Sequence, residues 1–284
     1  MNKKQLFALM QYLIPQHLLS RLVGWFAQSE FPIIKDTFIK WFAKRYDVNM
    51  SEALQEDLSS YKSFNEFFTR PLKDGARPLA EGDDTLVSPA DGAVSQLGKI
   101  KLGRVFQAKG RDYSVAELLG GDAERAAPFV NGDFMTVYLS PKDYHRVHMP
   151  FAGTLKETVY VPGDLFSVNP ATTENVDALF ARNERLVCIF ETEFGPMAMV
   201  LVGAMIVAGI ETVWSGQVTP LPKQPQAQQY TGEAIRLEKG AEMGRFKLGS
   251  TVVMCFPENA IEFAEALKAE SALRMGQALA ARVR

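Results

Sequence analysis

Cysteine and histidine are scarce in this chain. Its 284 residues hold two cysteines, Cys188 and Cys255, and three histidines. Both cysteines sit in apolar, strand-like runs, so the spacing offers no disulfide framework and fits a reducing compartment. The pair His145 and His148 has no cysteine or carboxylate cluster beside it to complete four ligands, so no metal is expected. Long apolar runs are missing too. Leu6 to Ala27 is interrupted by Gln11, Pro15, Gln16, His17, Ser20 and Arg21, short of the roughly 20 residues a bilayer-spanning helix needs. The same stretch makes a poor signal peptide, because its apolar core is split and no small-x-small cleavage site follows. There is no Gly-rich phosphate loop, no dinucleotide-binding pattern and no internal repeat.

What is present is the composition of a globular protein able to bury a sizeable core, 47% apolar and 23% charged. Charge is unevenly spread. Among residues 1–45, Lys3, Lys4, Arg21, Lys35, Lys40, Lys44 and Arg45 outweigh Glu30 and Asp36 by five charges, which leaves the remainder at −7 within a total of −2. A basic, apolar start on an acidic body points to an anionic membrane surface rather than to nucleic acid. Two short helices parted near Pro15 fit it, with Trp25 and Trp41 among lysines as in a helix lying at an interface. A further helix is expected over residues 36–46 with Asp36 as N-cap. Another short one is expected within Tyr61 to Leu72, ending at Pro71.

From Thr85 the texture changes to short β-rich runs parted by Gly, Pro, Asp and Asn. Strands are expected near Val94–Ile100, Phe134–Leu139, Thr154–Val161, Arg185–Glu191, Pro196–Val207 and Glu211–Val218. Tyr113–Leu119 reads as a short helix, Thr219–Gly232 as a surface loop, and the alanine-rich stretch Glu258–Val283 as a closing helix. The fold class is therefore α+β: an amino-terminal helical, membrane-interface region over residues 1–80, then a predominantly antiparallel β catalytic domain over residues 81–284 with a carboxy-terminal helix.

The stretch Leu248-Gly249-Ser250-Thr251 heads one of these strands, since Thr251 to Phe256 is β-branched and apolar. By itself it is only a turn entering a strand. It is also where a hydroxyl could attack the carbonyl before it, because glycine tolerates the strained geometry such attack needs. Passage through an ester and elimination would leave a pyruvoyl group, a ketone able to form a Schiff base with an amine. Ser250 needs a base, and two of three histidines fall within Ser140 to Pro150. Pro89-Ala90-Asp91-Gly92 offers a carboxylate in a tight turn to orient the imidazole.

In combination, these stretches resemble the phosphatidylserine decarboxylase family of the bacterial membrane-associated type. The resemblance is carried by Phe64-Asn65-Glu66-Phe67-Phe68-Thr69-Arg70-Pro71-Leu72, Pro89-Ala90-Asp91-Gly92 and Tyr138-Leu139-Ser140-Pro141 with Asp143-Tyr144-His145-Arg146-Val147-His148. It continues in Tyr160-Val161-Pro162-Gly163, Leu179-Phe180-Ala181-Arg182-Asn183-Glu184-Arg185 and Leu248-Gly249-Ser250-Thr251, and so covers nearly the whole chain. It implies a proenzyme that cuts between Gly249 and Ser250 into a β chain of residues 1–249 and an α chain of residues 250–284. Asp91, His148 and Ser250 would form the self-cleaving triad. Ser250 would become the pyruvoyl cofactor that binds the amine of phosphatidylserine. His145 would assist at the substrate carboxylate or in reprotonation. The resemblance further implies a peripheral protein on the cytoplasmic face of the bacterial inner membrane, with a homodimer as an allowed assembly. Val161 to Asn169 is a candidate for part of the substrate pocket. Two other readings remain: a serine hydrolase using Asp91, His148 and Ser250, though Ser250 lacks a Gly-x-Ser-x-Gly elbow, and a non-enzymatic peripheral membrane protein.

Overall fold

The computed structural model describes residues 3–206, 209–219, 224–232, 234–247 and 249–283. Leu248 of the Gly-Ser stretch, Val207 at the end of one expected strand and residues 220–223 of the expected loop lie outside them. The class is α+β, as the sequence implies. Helices come first: α1 (Lys3–Leu13), α2 (Gln16–Gln28), α3 (Pro32–Tyr46) and the short α4 (Phe64–Phe68). Pro15 separates α1 from α2. Helix α3 begins earlier than expected, because Pro32 at its first turn has the φ a helix start requires. Asp36 is thus not its N-cap; it lies one turn inside and pairs with Lys35 Nζ at 2.6 Å. Helix α4 is capped by Ser63, whose side chain accepts from the Glu66 N–H. Its Phe64, Phe67 and Phe68 bury against Ala27, Ile39 and Phe42 of α2 and α3.

The body is a large antiparallel sheet. Its strand order is Gln226–Gln229, Gly153–Val161, Arg185–Thr192, Gly195–Val202, Ser250–Phe256, Asp133–Leu139, Gly92–Lys99 and Ala272–Leu273. Ser250–Phe256 is central and buried at every position. Its alternation divides two cores: Val252, Met254 and Phe256 face one, and Val253 and Cys255 face the other. A strand buried on both faces reads as a continuous apolar run, which is why this one is evident in the sequence.

Four further expectations are corrected. No helix closes the chain: Glu258–Val283 instead holds the short strands Ile261–Phe263, Ala272–Leu273 and Ala278–Arg282. Ala278–Arg282 lies between Thr85–Val87 and Ile261–Phe263. Alanine's helix propensity is a weak prior, and pairing with open sheet edges overrides it here. The helix expected at Tyr113–Leu119 shrinks to Val115–Leu118, because Tyr113 belongs to the strand Arg111–Ser114. Within the Pro/Gln-rich segment, residues 224–229 are exposed, but Gln226–Gln229 pairs with Glu157–Tyr160 as an edge strand. Glu211–Val218 divides into Gly209–Thr212 and Gly216–Gln217, a hairpin turning before Gly216.

Candidate active site

Ser250 opens the central strand opposite Leu139 and is fully buried, yet its Oγ has no hydrogen-bond partner among the described residues. A buried hydroxyl left unpaired costs about 1–3 kcal/mol, so its position calls for an explanation. Gly249 before it has φ +36°, and a Cβ there would meet no atom within 4 Å. Glycine is thus required by backbone angle rather than by space. A cavity of about 270 Å³ reaches both residues. Phe7, Phe42, Phe68, Tyr138 and Ile206 line it, with Ser167, Val168 and Asn169 from the candidate pocket segment.

The two imidazoles are oriented alike by backbone carbonyls. His145 Nδ1 lies 2.8 Å from the Asp143 carbonyl, and His148 Nδ1 2.8 Å from the Gly240 carbonyl. A carbonyl only accepts, so each Nδ1 carries the proton and each Nε2 is a free base. Nε2 of His148 accepts from the Tyr144 hydroxyl at 3.0 Å. Nε2 of His145 is buried without a partner among the described residues, and its ring lies 4.0 Å from that of Phe68, a wall of the Ser250 cavity.

Asp91 sits in a second, polar cavity of about 500 Å³ that shares Tyr138 with the first and also includes Tyr144. Its carboxylate accepts from Arg77 Nη2 at 2.6 Å and Nε at 2.8 Å, and from the Met275 N–H at 2.9 Å. The Pro89 carbonyl of the same turn accepts from the His148 N–H at 2.8 Å, which ties that turn to the His148 backbone. Gly92 completes the turn where a Cβ would come within 2.2 Å of the Tyr138 carbonyl oxygen. The fold therefore makes the Asp91 turn and His148 neighbours, and joins His145 to the Ser250 cavity through Phe68. Among the described residues no side-chain hydrogen bond links Asp91 to His148, or Ser250 to either imidazole. Sequence reasoning missed Tyr144, Arg77 and Phe7. Tyr144 stood within the His145 motif, four residues from His148; Arg77 and Phe7 carried no local signal.

Burial pushes His145 down from the usual 6.5 to about 3. Burial also lowers His148, partly offset by its bond to the Gly240 carbonyl. Both rings are therefore neutral in the folded protein near neutral pH, as a base must be. The unfolded chain binds protons that the folded one refuses. Stability is then complete above the unfolded value and is lost as pH falls toward the folded values. We expect the thermal midpoint to drop on acidification from pH 6.5 downward, each site contributing about 1.4 kcal/mol per pH unit at most. Calorimetry of His145→Gln should show a shallower slope; an unchanged slope would mean that this ring does not stay neutral.

Comparison with known proteins identifies the family. The family model described as phosphatidylserine decarboxylase matches residues 64–281, and a second, described as PSD, matches residues 6–47. The chain is 63% identical over 282 residues to the phosphatidylserine decarboxylase proenzyme of Pseudomonas fluorescens, covering 98% of this chain and 99% of that one. It is 63% identical to that of Pseudomonas putida, covering 99% of both chains. The proenzyme of Pseudomonas aeruginosa is also 63% identical, over 98% of this chain and 97% of its own.

Proposed function

The chain belongs to the phosphatidylserine decarboxylase family, and from that premise we propose that it cuts itself at Gly249–Ser250 and converts phosphatidylserine to phosphatidylethanolamine and carbon dioxide. One observation carries the self-cutting: a buried hydroxyl without a partner among the described residues follows a glycine at φ +36°. The Ser250 hydroxyl adds to the Gly249 carbonyl, and the peptide nitrogen leaves with the proton held by the base, giving an ester. A base then takes the Cα proton of residue 250 as the Gly249 carboxylate departs. Tautomerisation and attack by water release ammonia and leave a ketone at position 250. That pyruvoyl group supplies a carbonyl for the lipid amine and an electron sink for the departing carbon dioxide.

The cavity fits such a group, being mostly apolar at its walls, with Ser250 itself buried at its edge. His148 is the base we assign to self-cutting. Asp91 favours its protonated form through charge, while the Gly240 carbonyl sets its tautomer. His145, with a free Nε2, serves at the lipid's carboxylate or returns the proton to the carbon. After cutting, residues 250–284 stay bound to residues 1–249 without a covalent link. The Ser250–Phe256 strand is held by neighbours on both sides, Asp133–Leu139 and Gly195–Val202.

Among the described residues no helix is long and apolar enough to cross a membrane. We place α1–α3 on the cytoplasmic face of the bacterial inner membrane, with the border to the catalytic domain near residue 80. Leu13, Trp25 and Ile33 are 77%, 68% and 73% exposed, an arrangement that suits burial at a lipid interface. Phe7 and Phe42 of this layer also line the Ser250 cavity, so the lipid head group need travel little from the bilayer. The purified protein given carboxyl-labelled phosphatidylserine should release labelled carbon dioxide, and phenylhydrazine, which blocks ketones, should stop it. Release that survives phenylhydrazine would contradict the pyruvoyl chemistry.

A further inference from the structure

Resting on that reading of Ser250 and of the lipid-facing layer, we propose that Gln11 and Gln16 are positioning residues. They couple the seating of α1 and α2 on a lipid surface to the wall of the Ser250 cavity. These two helices are inverted relative to those of an ordinary globular surface. Leu6, Leu9, Met10, Leu13, Leu18 and Leu22 are exposed, whereas Gln11, Gln16 and Ser20 are buried at 1%, 9% and 5% exposure. A buried amide must find partners, and these find them in the segments that shape the cavity.

Gln11 Oε1 accepts from the Ser167 N–H at 2.8 Å, and its Nε2 donates to Thr172 Oγ1 at 3.1 Å. Gln16 Oε1 accepts from the Leu165 N–H at 2.6 Å, and its Nε2 donates to the Gln11 carbonyl at 2.9 Å, joining the helices across Pro15. Ser20 Oγ accepts from the Ile206 N–H at 3.1 Å. Ile206 is a β-branched residue at φ +64°, a conformation that persists only where its surroundings impose it. Ser167 and Ile206 both line the Ser250 cavity. One face of each helix thus meets lipid while the other holds the backbone beside the reactive residue. A shift of the helices on the bilayer must move those segments or break buried hydrogen bonds.

The test uses the full chain and the double variant Gln11→Leu/Gln16→Leu, which keeps bulk and removes the amides. Activity is measured on phosphatidylserine in phosphatidylcholine vesicles and on water-soluble, short-chain phosphatidylserine without vesicles. Self-cutting and co-sedimentation with the vesicles are followed alongside. We expect cutting and co-sedimentation to match the wild type. The ratio of vesicle to soluble activity should fall about tenfold, in kcat rather than KM, as expected for lost buried hydrogen bonds. Thr172→Val leaves both helices intact and removes one partner from the other side; its ratio should fall roughly threefold. An unchanged ratio in both variants overturns the coupling, as does a fall explained by lost vesicle binding. An uncut, inactive wild type would sink the underlying reading and this one with it, whereas a cut, active wild type leaves the coupling to stand or fall on the ratio.

Discussion

Ser250→Ala is expected to yield one uncut chain that releases no carbon dioxide from phosphatidylserine. No other group can replace the hydroxyl in the attack on Gly249, and without the attack no ketone forms. The loss should reach background, visible as a single band in a denaturing gel and as absent product. The same substitution should not harm the fold. Among the described residues Ser250 Oγ has no partner to lose, so its removal relieves a desolvation cost of about 1–3 kcal/mol. We expect a thermal midpoint equal to or above that of the parent chain. A variant that is inactive because it is unfolded would contradict this. Retained decarboxylation would end the proposed mechanism.

His148→Ala carries the second large effect. The unprotonated Nε2 of this imidazole, which accepts from the Tyr144 hydroxyl, is the acceptor we assign to the Ser250 proton, and removing a general base costs on the order of 100- to 10,000-fold. The chain should remain uncut over a time course in which the parent is fully processed. Loss of the ring also leaves the Tyr144 hydroxyl without its partner at 3.0 Å, so a drop of about 1–2 kcal/mol in stability should accompany it. Normal cutting in this variant would transfer the base role to His145. That ring, with its unpaired Nε2 against Phe68, is next in line.

Much of this was legible in the sequence because the informative signals are local. The strand after Ser250 is a single apolar, β-branched run, and Pro15 marks a helix break by its own chemistry. The carboxy-terminal stretch misled because alanine spacing imitates a helix, while the edges it pairs with, Thr85–Val87 and Gly92–Ala93, lie far back in the chain. Asp36 misled because Pro32 is also a start signal and lies ahead of it. Gln11, Gln16 and Ser20 are the most instructive. In sequence they interrupt an apolar run; in the fold they are buried while the leucines around them are exposed, a reversal that the sequence pattern does not disclose. Arg77, which engages Asp91 across a turn, stood in a polar stretch with nothing to distinguish it.

The central claim is that the backbone itself becomes the reactive ketone. Intact-mass measurement of the purified, denatured protein tests it most directly. The account predicts two chains divided after Gly249, the smaller one lighter by one ammonia than the unmodified segment from Ser250 onward. A single full-length chain with full decarboxylase activity would contradict it.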